Sequence, residues 1–217
     1  MGEKIHVTYN DVHKLCQKSA DRILADFQPQ LMIAIGGGGF IPARILRSFL
    51  KERRPGAPNI PIQAIGLSLY ESIGEEDSEV EKIGTEVKRT QWLDLTALGQ
   101  MKNLIGKRIL IVDEVDDSRT TLAYAVSELE KDIDKARREL GGDQPETEFS
   151  IFVLHVLGYW GVLQNKDRPK KGILPPDMLA NRYEAAVTTD DVWINYPWEA
   201  LDIDEQDRLA AAQQSTS

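Results

Sequence analysis

The sequence predicts an α/β domain, with a mostly parallel twisted sheet flanked by helices. Short apolar runs, LMIAI (31–35) and RILIV (108–112), have the length and composition of strands buried on both faces. Each is followed, after a turn rich in glycine or hydroxyl residues, by apolar positions at helical spacing. Strands alternating with helices in this way imply parallel pairing, with ligands gathered at the carboxyl ends of the strands. The chain shows neither an internal repeat nor a linker, so its 217 residues are expected to form one domain.

Taken in order, Val12, Leu15, Cys16, Ser19, Ile23, Leu24 and Phe27 define a first amphipathic helix, with Asn10 as its expected N-cap. The strand at 31–35 meets Gly36, Gly37, Gly38 and Gly39 and then a helix over 41–50. A second strand is expected over 60–69, where Ile62, Ile65 and Leu67 supply apolar residues after a proline-rich turn. The acidic stretch 71–82 reads equally as a mobile loop or a solvated connector. After the strand at 108–112, Leu122, Val126, Leu129, Ile133, Ala136 and Leu140 mark a helix that Gly141 and Gly142 stop.

Composition narrows the function. A formal net charge of −9 argues against non-specific nucleic-acid binding, which needs basic surface to neutralise phosphates. Helix-start amides and a divalent cation can still create a local anion site. The single Cys16 cannot form an intramolecular disulfide, consistent with a reducing compartment. No signal-peptide pattern opens the chain, and the longest apolar stretch, 151–163, is too short to cross a membrane and contains His155. A cytoplasmic protein without membrane or nucleic-acid partners is expected.

The most informative segment is ILIVDEVDDSRTT (109–121), an apolar strand delivering acids to a hydroxyl-rich turn at a helix start. Asp113 and Glu114 can accept hydrogen bonds from ribose hydroxyls. Ser118, Arg119, Thr120, Thr121 and the turn amides can hold a phosphate, and Asp117 lies between the two functions. Acids capping a helix beside exposed hydroxyls would explain the pieces only separately.

This segment closely resembles the phosphoribosyl pyrophosphate (PRPP) motif of type I phosphoribosyltransferases. The resemblance extends over most of the chain and is closest to fungal xanthine and hypoxanthine-guanine phosphoribosyltransferases, through IHVTYNDVHKLCQ, IAIGGGGFIPARILRSFL, IPIQAIGLSLYE, VKRTQWLDL and WINYPWE. It implies the type I fold with a small hood over the base site, contributed mainly by residues 156–217. It also implies transfer of phosphoribose from PRPP to N9 of a 6-oxopurine, with Mg2+ as cofactor, by a homodimer.

Residue by residue, the resemblance makes Asp113 and Glu114 the ribose acids, Asp117 the catalytic acid beside the purine, and residues 118–121 the 5′-phosphate loop. Gly36, Gly37, Gly38 and Gly39 match the pyrophosphate loop, which in some relatives contains a cis peptide. Trp193 would stack on the purine and the Ile194 backbone would read its edge, with an ordinary core tryptophan as the alternative. Lys166 is the choice for purine O6 among Lys166, Lys170 and Lys171, and Glu199 matches a metal-binding acid. Leu69, where the family has Ser, and Tyr70 match the lid. Beside these relatives, residues 156–164 (VLGYWGVLQ) look inserted, so their removal is expected to leave the fold intact. A regulatory binding protein on the same fold, or a phosphoribosyltransferase for another base, are the rival readings.

Overall fold

The computed structural model describes residues 4–52, 56, 58–71, 82–93, 104–158 and 171–215. The elements run in the order β1 (Lys4–His6), α1 (Tyr9–Asp26), β2 (Leu31–Gly36), α2 (Phe40–Glu52), β3 (Ile62–Glu71), β4 (Lys82–Gln91), β5 (Arg108–Asp116), α3 (Thr120–Leu140), β6 (Glu148–Leu157), α4 (Pro176–Asn181), β7 (Tyr183–Thr189), β8 (Trp193–Asn195) and α5 (Ile203–Gln214). Six strands form one sheet in the order β4-β3-β2-β5-β6-β7. It is parallel except where β4 runs antiparallel to β3.

Strand alternation divides the core in two. Ile33, Ile35, Ile109, Ile111, Ile151 and Val153 face α3, packing with Leu122, Val126, Leu129 and Ile133. Met32, Ala34, Leu110, Val112, Phe152 and Leu154 face the other way, toward Val12, Cys16 and Ile23 of α1 and Ala43, Leu46 and Leu50 of α2. A doubly covered parallel sheet explains why these strands read as unbroken apolar runs.

α1 starts earlier than its apolar spacing suggests, because Thr8, not Asn10, is the N-cap. The Asp11 amide donates to Thr8 Oγ1 at 3.1 Å and the Thr8 amide donates to Asp11 Oδ2 at 3.0 Å, a reciprocal pair of the kind worth about 1 kcal/mol. Gly141 and Gly142, at φ 65° and 68°, end α3 as expected.

β4 (KIGTEVKRTQ) has no apolar run to announce it, because it is an edge strand. Its end is fixed to α3 by Arg89, whose Nε donates to the Tyr124 hydroxyl at 3.1 Å and whose guanidinium lies 4.0 Å from the Trp92 ring centroid. Trp92 Nε1 in turn donates to Asp132 Oδ2 at 2.9 Å. Of the stretch 71–82, read as a mobile loop or connector, Glu71 ends β3 and Lys82 begins β4, and residues 72–81 lie outside the described residues.

The supposed insertion does not begin as a loop. Val156 and Leu157 continue β6 in register with Thr188 and Thr189, Val156 is buried, and the Gly158 amide donates to the Thr189 carbonyl at 2.9 Å. The first two residues of the segment, Val156 and Leu157, are therefore part of the sheet. Residues 159–164 lie outside the described residues.

Candidate active site

The carboxyl ends of the neighbouring strands β2 and β5 bring the expected elements together. β2 ends in the glycine turn, and the Gly36–Gly37 peptide is cis. The Gly39 amide donates to the Ile35 carbonyl at 2.9 Å, and α2 starts one residue later. A Cβ at Gly39 would overlap the carbonyls of Ile35 and Val112, and one at Gly38 would overlap the Glu114 carboxylate. At Gly39 glycine is required by close approach, since backbone carbonyls cannot swing aside. The contact also places the glycine turn directly against the acids of β5.

β5 runs to Asp116, so Asp113 and Glu114 are strand residues rather than turn residues. Asp113 is buried, and its Oδ1 accepts the Glu114 amide at 3.0 Å. Burial, and then the neighbouring Glu114 carboxylate, push the Asp113 carboxyl well above its ordinary range. Glu114 Oε2 is buried with no hydrogen-bond partner among the described residues. A buried acceptor left bare is unfavourable by about 1–3 kcal/mol, so this atom is suited to receive a ligand hydroxyl.

The turn after β5 is a compact cradle. Ser118 Oγ donates to Thr120 Oγ1 at 2.9 Å, and α3 starts at Thr120, directing helix-start amides toward the turn. Asp117 and Thr121 flank this cradle, half-buried. Arg119 takes a left-handed backbone, φ 64° and ψ 1°, and its Nε donates to Asp116 Oδ2 at 2.9 Å. Asp116 also accepts the Tyr183 hydroxyl at 2.6 Å. Sequence reasoning passed over both Asp116 and Tyr183.

β8 pairs with β1 in a separate two-stranded parallel sheet, Lys4 opposite Trp193 and Ile5 opposite Ile194. Trp193 is 58% exposed, which rules out a core role, whereas Ile194 is buried. Tyr196, also missed, is buried, and its hydroxyl donates to the Glu114 carbonyl at 3.0 Å. His155 Nδ1 lies 2.9 Å from the same hydroxyl. The phenol has one hydrogen and gives it to Glu114, so the Nδ1–H tautomer of His155 completes the chain. Burial lowers His155 to about 4, keeping it neutral. The Tyr196 ring stacks on Trp198, with centroids 4.7 Å apart. The segment that follows β8 is thus tied to Glu114.

α5 fastens this sheet from outside. Gln206, 2% exposed, donates through Nε2 to the carbonyls of Val7 (2.9 Å) and Asn195 (2.8 Å) and accepts from Asn195 Nδ2 at 2.8 Å. Its Oε1 also lies 3.0 Å from His6 Nδ1. Glu199 is exposed, and its amide donates to the Tyr196 carbonyl at 3.1 Å.

Leu69 and Tyr70 fall at the end of β3, Tyr70 pairing with Ile83 across a register shift. Lys166 and Lys170 lie outside the described residues. Lys171 is exposed, and its amide donates to the Ser118 carbonyl at 2.9 Å. Among the described residues, no three acids, histidines or cysteines converge as a metal cage.

No model of a known protein family matches the chain. The xanthine phosphoribosyltransferase 1 of Saccharomyces cerevisiae is 56% identical over 98% of this chain and 97% of its own length. The hypoxanthine-guanine phosphoribosyltransferase of Schizosaccharomyces pombe is 52% identical over 96% and 95%. That of S. cerevisiae is 54% identical over 98% and 93%. Among solved structures, a hypothetical protein from Neisseria gonorrhoeae with bound ppGpp matches with a TM-score of 0.71 at 38% identity, over 98% of both chains. A purine phosphoribosyltransferase from Pyrococcus horikoshii shares the fold, with a TM-score of 0.58 at 23% identity over 92% of this chain and 96% of its own. With more than half of its residues identical to those of three enzymes across nearly their full lengths, the chain belongs to the xanthine and hypoxanthine-guanine phosphoribosyltransferase family.

Proposed function

We propose that this protein transfers the phosphoribosyl group of PRPP to N9 of xanthine, guanine or hypoxanthine, giving the purine nucleoside monophosphate and pyrophosphate in purine salvage. The observation that carries the reading is the packing of Gly38 against the Glu114 carboxylate, which sets a glycine turn, two acids and a hydroxyl-rich helix start around one centre. The identities of 56%, 52% and 54% do not separate the three bases.

In this reaction N9 attacks the anomeric carbon as its bond to the pyrophosphate oxygen breaks, and positive charge develops on the sugar. Asp113 and Glu114 hold the ribose hydroxyls, the unpartnered Glu114 Oε2 taking one of them. Residues 118–121 hold the 5′-phosphate, and the amides of the glycine turn face the pyrophosphate. Trp193 offers an exposed ring to the purine, and Lys166 its ammonium to O6. Asp117 takes the proton at purine N7. These groups act chiefly by orienting the reactants.

Asp113 and Glu114 suit magnesium carried on PRPP oxygens, since they stand side by side and Glu114 Oε2 is a buried acceptor without a partner among the described residues. They would hold it through ribose hydroxyls or water, with Glu199 as a further candidate. Bound there, the ion would neutralise the leaving pyrophosphate. The same site would accept guanine nucleotides, a reading that the ppGpp-bound gonococcal protein supports. A homodimer in the cytoplasm belongs to this proposal. No described helix is long and apolar enough to cross a membrane.

Asp117→Asn keeps the shape of the side chain and removes the proton acceptor, so turnover should fall about 100-fold or more with the fold intact. Turnover near that of the wild type at saturating substrates would remove Asp117 from the role. Excess chelator should abolish transfer and added magnesium should restore it.

A further inference from the structure

The end of β5 holds a buried charged cluster that the reaction itself does not use. Asp116 is 1% exposed, a position from which an ionised carboxylate is expelled unless it is paired. Its Oδ2 receives Arg119 Nε at 2.9 Å and the Tyr183 hydroxyl at 2.6 Å. The Arg119 side chain is 11% exposed, and its guanidinium lies 5.6 Å from the Tyr183 ring centroid. Tyr183 opens β7, two strands across the sheet from β5. An arginine within a phosphate-binding turn reads at first as a phosphate ligand, but here its Nε points back into the protein.

The backbone gives the reason. Arg119 sits at φ 64°, a left-handed conformation that residues with a Cβ seldom adopt, and its carbonyl accepts the Ala123 amide at 2.9 Å in the first turn of α3. The other side of the turn is braced by backbone hydrogen bonds. The Lys171 and Gly172 amides donate to the Ser118 carbonyl at 2.9 and 3.1 Å, and Gly172 has no room for a Cβ against the Arg119 carbonyl.

We propose that Asp116, backed by Tyr183, is a positioning residue for phosphate recognition. It fixes Arg119 in the left-handed conformation and thereby presents the amides and hydroxyls of Ser118, Thr120 and Thr121 to the 5′-phosphate. The inference rests on residues 118–121 being the phosphate loop.

The test is calorimetric binding of guanosine 5′-monophosphate and of guanosine to the full-length protein. Asp116→Asn should weaken the monophosphate about tenfold and leave the nucleoside unchanged, because a charge-assisted bond is lost beneath the loop only. Tyr183→Phe, the milder variant, should act in the same direction by about threefold. Because Arg119 turns its side chain to Asp116 and offers the phosphate only its backbone amide, Asp116→Asn/Arg119→Gly keeps that amide and lets the glycine adopt the left-handed conformation unaided, so monophosphate affinity should return to within about threefold of the wild type. Equal weakening of both ligands, unchanged monophosphate binding in Asp116→Asn, or no recovery in the double variant would overturn the proposal. A wild-type protein that binds nucleoside and monophosphate equally would instead refute the phosphate loop itself.

Discussion

The hydrogen-bonded chain from His155 through Tyr196 to the Glu114 carbonyl makes stability depend on pH in a calculable way. Burial lowers His155 from 6.5 to about 4 in the folded protein. The unfolded chain therefore binds a proton near pH 6.5 that the folded chain refuses until near pH 4. Between those values the unfolded state holds more protons, so stability falls as the pH drops and levels off below about 4. The whole window corresponds to roughly 3 kcal/mol, of which about 2 kcal/mol falls between pH 7 and pH 5. His155→Gln removes the titrating group and keeps an amide able to donate to the Tyr196 oxygen. Urea unfolding at pH 7 and pH 5 should show the wild type losing about 2 kcal/mol more than the variant over that interval. Equal losses would mean that His155 is not held neutral by burial.

Two further substitutions probe the base side. Trp193→Ala should weaken purine binding by roughly 1–3 kcal/mol while leaving the unfolding curve in place, because the ring is exposed. Unchanged base affinity in the folded variant would make Trp193 a bystander. Gln206→Ala breaks the buried bonds that fasten β1 and β8, and should raise KM for the base several-fold without changing KM for PRPP. A parallel rise in both constants would show general loosening instead of a role on the base side.

What the sequence made legible follows from how local each feature is. Residues 109–121 could be read because strand, acids, turn and helix start are contiguous, and the glycine turn could be read because four adjacent glycines leave little else to expect. Asp116 lies inside the same stretch yet went unassigned, since its meaning depends on Tyr183, which is 67 positions away. Tyr196 was hidden likewise, as its partner Glu114 lies 82 positions earlier. β1 and β8 are three residues each, and pairing across nearly the whole chain leaves no periodic trace. β4 was missed because an edge strand has less need of the apolar run that marks β2 and β5. Asn10 is an expected N-cap by residue type alone, whereas the reciprocal bonds to Asp11 that make Thr8 the cap show only in the fold.

The central claim is tested most directly by incubating the purified protein with PRPP and magnesium and, in turn, xanthine, guanine, hypoxanthine and a pyrimidine base. Nucleoside 5′-monophosphate and pyrophosphate would be quantified together. The account predicts equal amounts of the two products with at least one of the three 6-oxopurines and none with the pyrimidine. Absence of nucleotide with every purine, or nucleotide from the pyrimidine alone, would contradict it.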